Sequence, residues 1–202
     1  MKNLKNLKEI LSWIVPVVIG LAIALALKQF VFTRVRVDGP SMEPNLNNNE
    51  KVFAWKMSKV KHLSVIVFDA HGEDPAAKPN TNYVKRVIGL PGDSVKSKNG
   101  YIYVNNKRVN QSFISTSERT SGTGNWTLAS LQRQNDWQGG NNGKIATVVP
   151  KGKYFVLGDH RSVSNDSRYW GFVDKDKVLG VVKVPSWASS KTKRVNINSL
   201  AY

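Results

Sequence analysis

The sequence predicts a mainly β protein: a sandwich or barrel-like sheet body behind one N-terminal membrane helix, with a small inserted lobe. Three observations lead there. Ile10 to Leu27 runs without a charge. After residue 30, short runs rich in β-branched and aromatic residues recur between turn signals. No stretch of that body has helical periodicity of comparable strength.

The apolar run is taken first. Roughly 18 residues at ~1.5 Å each make a helix of ~27 Å, about the thickness of a bilayer core. Pro16 is tolerable inside a membrane helix. Lys2, Lys5 and Lys8 precede the run and favour an orientation with the N-terminus inside, although Lys28, Arg34 and Arg36 follow soon after and weaken the bias. Ala24-Leu25-Ala26 has the small-x-small form of a leader cleavage site. The apolar run, however, is longer than the ~7–15 residues usual for a cleaved leader, so the segment is read as an uncleaved anchor. This makes 1–28 a cytoplasmic tip and transmembrane anchor, 29–186 an extracytoplasmic β domain, and 187–202 a basic C-terminal tail.

In the body, "FVFTRVRVDGPSM" alternates from Thr33 to Val37 and stops at the turn signal Asp38-Gly39-Pro40. "EKVFAWKM", "SVIVF", "YVKRVIGL", "YIYVNN", "YFVLGD" and "VLGVVKV" read as further strands. His71–Asn82 reads as a loop. Residues 110–145, rich in Ser, Thr, Asn and Gly, read as an inserted cap lobe or flap.

Composition narrows the partners. The formal net charge is +16, which suits an anionic membrane, acidic wall polymers or nucleic acid. No zinc-finger spacing, RNP-type aromatic box or basic-region heptad is present, so the charge reads as a solvated face near anionic lipid rather than as a nucleic-acid surface. There is no cysteine, which excludes disulfides and zinc–thiolate sites. Three dispersed histidines give no metal-ligand spacing.

The chemistry centres on Ser41 in "GPSMEPNL". A serine hydroxyl is a poor nucleophile without a positioned base. His62 and His71 lie in polar loop contexts. His160, beside Asp159, leaves a Ser41–His160–Asp triad as one arrangement. The row Gly39-Pro40-Ser41-Met42-Glu43 is not the G-x-S-x-G elbow of an α/β-hydrolase. The other candidate base is a lysine. "YVKRVIGLPGD" places Lys85 and Arg86 on opposite faces of an apolar strand, and periodicity does not choose between them. Chemistry does: arginine stays protonated, whereas a desolvated lysine can lose its proton. At pKa ~10.4 about one lysine in 2,500 is neutral at pH 7, and at ~8 about one in ten. The plain alternative is a basic pair whose ammonium reaches solvent.

Three motifs now stand in order behind the anchor: Ser41-Met42-x-Pro44-x-Leu46, Tyr83-x-Lys85-Arg86-Val87-Ile88-Gly89-Leu90-Pro91-Gly92-Asp93, and Gly158-Asp159-His160-Arg161-x-x-Ser164-x-Asp166-Ser167-Arg168. Together they resemble the bacterial type I signal peptidases, in a Gram-positive form. The resemblance spans roughly 1–110 and 150–185. It implies an antiparallel barrel-like catalytic domain and a membrane-anchored Ser–Lys endopeptidase that removes signal peptides from exported preproteins, without cofactor or metal. It further implies cleavage after small residues at substrate positions −1 and −3, on the outer face of the membrane.

Residue by residue, it implies Ser41 as nucleophile and Lys85 as general base. Ser164 matches a serine whose hydroxyl orients the lysine amine. Asp166 and Arg168 match a structural ion pair, and Met42 a residue packed beside the catalytic pair and the substrate pocket. Gly39 stands where some members carry a serine that helps form the oxyanion hole, and His160 stands where asparagine is common. The short stretch between the second and third motifs implies a reduced cap. Other classes remain in view. A self-cleaving Ser–Lys repressor would carry a DNA-binding domain in place of the anchor. A membrane-tethered, inactive protease-fold binding protein would lack Ser41 or Lys85.

Overall fold

The computed structural model describes residues 2–137, 144–185, 187 and 190–201. Helix α1 (Lys2–Ala26) runs through one π turn, Leu27–Val31, straight into the first strand. Leu11–Val31 has a mean hydropathy of 2.2, is long and apolar enough to cross a membrane, and is not buried in the body; at its end Lys56 donates to the carbonyls of Gln29 and Val31.

The strands that follow are β1 (Phe32–Arg36), β2 (Lys51–Trp55), β3 (Val65–Asp69), β4 (Asn82–Gly89), β5 (Val95–Lys98), β6 (Tyr101–Val104), β7 (Lys107–Arg108), β8 (Trp126–Thr127), β9 (Lys153–Leu157), β10 (Val173–Asp174) and β11 (Val178–Lys183). The larger sheet has the order β1-β2-β11-β3-β4-β9-β10 and is antiparallel at every pairing. The smaller has the order β7-β6-β5-β8. The expected mainly β, antiparallel, curled architecture is what the chain adopts.

The run "SVIVF" does not alternate because both faces of β3 are covered. Val65 and Val67 pack with Met42, Leu46, Val84 and Val182, whereas Ile66 and Phe68 pack with Val87, Val156, Trp170 and Val181. At the end of β4 the register against β9 shifts between Val87 and Gly89. A side chain on Gly89 would meet Val95 at 2.7 Å and Val149 at 2.8 Å, so glycine is what allows the strand to pass close under the second sheet. The chain then turns through Leu90–Asp93, with the Asp93 carboxylate accepting the Leu90 N–H at 2.7 Å.

Two segments differ from their sequence reading. Residues 110–137 contain α2 (Thr116–Thr120), β8 and α3 (Leu128–Asn135). Phe113, Ile114, Trp126, Leu128 and Leu131 are spaced through polar sequence, and all join the core of the smaller sheet with Ile88, Ile102 and Phe155. Composition averaged over the stretch hid these anchors; residues 138–143 of it lie outside the described set. The second segment is the C-terminal stretch. A short α4 (Ser167–Trp170) precedes β10, and after β11 the chain forms α5 (Lys191–Arg194) and a π turn, Val195–Ser199. Ile197 is buried with Met42 and Leu46, so this part of the chain is packed on the body.

Candidate active site

Ser41 lies in a compact turn between β1 and β2. Gly39 begins it with φ of +79°, a left-handed conformation that costs glycine nothing and strains other residues. Its N–H donates to Asn48 Oδ1 at 3.0 Å. Further in, the N–H groups of Asn45 and Leu46 both donate to the Met42 carbonyl. Met42 and Leu46 are fully buried. Two apolar anchors thus hold a half-buried serine at the rim of the core.

Lys85 comes from the middle of β4, opposite Ile66 of β3. It is 4% exposed, and its Nζ donates to Ser41 Oγ at 2.7 Å. Burial pushes its pKa down to about 8; the Asp166 carboxylate opposes that shift and the Arg168 guanidinium adds to it. The Tyr83 ring lies beneath the amine, 5.3 Å from Nζ to the ring centroid. Arg86, one residue on, points the other way and grips Asp159 with two hydrogen bonds of 2.7 Å. Both side chains of that pair are fully buried.

The segment after β9 closes the site. The His160 N–H donates to the Ser41 carbonyl at 3.0 Å, which pins the nucleophile's backbone. Asp166 takes Arg168 Nε at 2.8 Å and Nη2 at 3.0 Å, and accepts the Gly158 N–H at 2.9 Å. Burial alone would raise the Asp166 pKa, but Arg168 and these hydrogen bonds bring it below the usual carboxylate range. Arg168 also donates to the carbonyls of Gly122 and Arg161 at 2.7 Å each. The pair is therefore buried and internal, unlike a solvated surface bridge.

Two arrangements that the sequence offers are absent among the described residues. The Ser164 hydroxyl is buried and has no hydrogen-bond partner, so it does not hold the Lys85 amine in this structure. The histidine triad is not built either. The His160 ring faces the Pro40 carbonyl at 3.3 Å and Glu118 at 3.8 Å, and Asp159 is taken by Arg86 and by Asn45 at 2.8 Å. Among the described residues, no group of three or more His, Asp or Glu is placed to hold a metal ion.

The sequence reading missed Asn45, the Arg86–Asp159 pair and Gly158. Their signal was present but unspecific: a charged residue in an apolar strand, and a Gly-Asp pair after one. Gly158 has a definite reason. A Cβ there would lie 2.1 Å from Ser164 Oγ and 2.5 Å from the Ser41 carbonyl oxygen. Gly158→Ala is expected to displace the nucleophile's backbone and lower turnover by about 100-fold, the scale of a 1 Å misplacement. Steady-state kinetics on the substituted full chain measures it, and activity within about twofold of wild type would show that the turn absorbs the methyl group.

A sequence model of the family described as signal peptidase, peptidase S26, matches residues 10–187. Signal peptidase IB of Staphylococcus aureus (strain COL) is 35% identical over 194 residues, covering 92% of this chain and 94% of that protein. Signal peptidase I of Bacillus licheniformis is 33% identical over 183 residues, covering 88% of each. A crystal structure of a signal peptidase I from Enterococcus faecalis, 30% identical, aligns with 61% of this chain and 97% of that one at a TM-score of 0.49.

Proposed function

Because the chain belongs to the signal peptidase family, peptidase S26, and is a type I signal peptidase of the Gram-positive kind, a serine endopeptidase that cleaves signal peptides from exported preproteins, we propose that Ser41 is its nucleophile and Lys85 its general base. The observation that carries this reading is the 2.7 Å contact between a buried lysine amine and the serine hydroxyl. An amine with a pKa of about 8 is neutral in a useful fraction of molecules near neutral pH.

In this mechanism neutral Lys85 takes the Ser41 proton as Oγ attacks the scissile carbonyl. The oxyanion forms beside the Ser41 N–H, which Gly39-Pro40 orients. Lys85 then passes the proton to the leaving amine. Water, deprotonated by the same lysine, hydrolyses the acyl-enzyme. Asp166 and Arg168 hold the closing segment in place, and Met42 supports the serine turn from below. The Ser164 hydroxyl lies close to the Ser41 carbonyl across Gly158, and its proposed role is to orient the lysine amine in the substrate complex.

Substrate preference and membrane placement extend the same reading. The proposed cleavage site carries small residues at −1 and −3, because pockets beside Met42 and Val84 exclude larger ones. The anchor places the body on the outer face. The rim where β1 leaves the span supports lipid contact: Phe32, Phe53, Trp55, Val184, Pro185 and Trp187 line an apolar groove. Trp55, Trp187 and nearby Phe30 are exposed there, as suits a membrane interface. A body lying on lipid meets a cleavage site as it emerges from the bilayer.

A processing assay with the full chain and a preprotein tests the proposal. Ser41→Ala is expected to lower turnover by at least about 10³-fold while the melting temperature falls by only a few degrees, from the one hydrogen bond to Lys85 that it removes, and retention of a tenth of wild-type activity would overturn the assignment.

A further inference from the structure

The C-terminal stretch has a use that neither the motifs nor the family match, which ends at residue 187, accounts for. Asn196 touches both halves of the site's support. Its side-chain Nδ2 donates to Asn45 Oδ1 at 2.7 Å, and its carbonyl accepts from Arg86 Nη1 at 2.9 Å. Asn45 belongs to the turn that holds Ser41, and Arg86 follows Lys85 in β4. Asn45 in turn gives its two N–H groups to Asp159 Oδ2 and the Phe113 carbonyl, both at 2.8 Å. Asp159 precedes His160, whose N–H holds the Ser41 carbonyl.

We infer that Asn196 is a positioning residue for the Ser41–Lys85 pair, and that residues 190–199 form a C-terminal buttress that fixes the nucleophile turn against strand β4. The inference rests on the Ser–Lys reading above. Three chain segments far apart in sequence meet at Asn45, whose Nδ2 has two acceptors and whose Oδ1 has one donor. Nδ2 is fully used inside the body; Oδ1 is served by Asn196. Without that donor, a buried acceptor is left unpaired, and the turn relaxes towards water to satisfy it. Such relaxation moves Ser41 relative to Lys85 and wets the amine.

The buttress is itself anchored away from the site. Asn198 pairs with Val184 through both its side-chain groups, at 3.0 and 2.8 Å, and Lys193 bridges Glu50. A substitution at Asn198 therefore loosens the same segment without touching Asn45 or Arg86. That separates positioning from simple support.

The charged and titratable groups around Lys85 are Asp166, Arg168, Asp159 and Asp74, with Tyr83 beneath it. None is altered by changing Asn196, so a moved pH profile reports hydration and geometry at the amine itself.

The experiment measures preprotein processing by the full chain in detergent across pH, with melting temperatures, for Asn196→Ala, Asn196→Leu, Asn198→Ala and Lys85→Ala. Both Asn196 variants are expected to lose about tenfold in kcat with KM within about twofold, and to shift the acidic limb of kcat/KM upward by about half a pH unit. Asn198→Ala, which leaves the Asn196 contacts in place, is expected to lose as much thermal stability with a smaller loss of kcat and an unmoved acidic limb. Equal proportional losses in all three with an unmoved limb would overturn the inference, as would wild-type kcat in Asn196→Ala. So would failure of both Asn196 variants to fold while Asn198→Ala folds, since the residue would then be a structural support only. Activity in Lys85→Ala would instead defeat the Ser–Lys reading, whereas an inactive Lys85→Ala beside a normal Asn196→Ala would defeat this inference alone.

Discussion

Lys85→Met is expected to abolish preprotein processing and to stabilise the fold at pH 7. The two effects have one cause. Burial lowers the Lys85 pKa from its ordinary value to about 8, so the folded state holds this proton less tightly than the unfolded chain does. Between pH 8 and 10.5 the unfolded state binds more protons, and stability therefore rises with pH across that window. Below pH 8 the charged amine costs the fold about 3 kcal/mol. Methionine has similar volume and no charge, so it removes that cost and gives up one hydrogen bond to Ser41, worth about 1 kcal/mol. The net gain at pH 7 is about 2 kcal/mol and fades towards pH 10.5.

Turnover falls by at least about 10³-fold, because Lys85 is the side chain hydrogen-bonded to the Ser41 hydroxyl among the described residues. Arginine does not rescue it, since a guanidinium stays protonated throughout the accessible range. In the wild type the acidic limb of kcat/KM should lie near the Lys85 pKa of about 8. Denaturant titrations at pH 7 and 10, together with the processing assay, measure both halves. Equal or lower stability for the methionine variant at pH 7 would show that the amine is not held at a cost.

Asp159→Ala is expected to destabilise the protein by about 3–5 kcal/mol, the usual consequence of leaving one member of a buried ion pair uncompensated. Arg86 is fully buried and would keep only its contacts to the Leu63 and Asn196 carbonyls and the face of Phe113, 4.0 Å from the guanidinium. Asn45 would lose an acceptor as well. The charge, not the lost contacts alone, dominates the cost. Replacing both partners, as in Arg86→Met with Asp159→Leu, is therefore expected to recover most of the stability, because no buried charge remains. Activity should not recover with it, since Asn45 still lacks its acceptor and the nucleophile turn stays loose. Denaturation midpoints and processing rates of the single and double variants test this. A double variant no more stable than Asp159→Ala would mean that packing, rather than charge, is what the pair supplies.

The two cases show where sequence reading succeeds and where it stops. Lys85 stood out because a lone amine in "YVKRVIGL" is chemically costly wherever it lies. Arg86 beside it had an equal claim by periodicity; acidity set it aside as a base, and only its partner shows what it does instead. That partner, Asp159, is 73 residues away, and nothing local announces the distance. The strands from "SVIVF" to "VLGVVKV" were legible because β-branched runs between turn residues leave the backbone few choices. The helices α2 and α3 were not, because five and eight residues carry too little periodicity; α2 buries none of its residues, and α3 buries only Leu128 and Leu131, in a core shared with Val95 and Phe155. The stretch 187–202 read as a basic tail because its charged residues, Lys191, Lys193 and Arg194, are all basic. Its packing rests on Ile197 and two asparagines whose partners lie elsewhere.

Ser164 marks the same limit from the other side. The motif gave it a hydrogen bond to the amine, and the backbone brings it near the nucleophile, yet its hydroxyl stays unpaired. Position follows from the motif; the bond depends on angstrom-scale packing against Gly158.

What the amino-acid order determined alone was the apolar span, the strand-rich body, and an uncommon pair of residue types suited to one reaction. These follow from local properties: hydropathy, backbone preference and intrinsic acidity. Tertiary structure decided which charged side chain meets the serine, which is locked to a distant aspartate, and how the end of the chain joins the site. Those outcomes depend on desolvation and hydrogen-bond geometry between residues tens of positions apart, and such quantities exist only once the chain has folded.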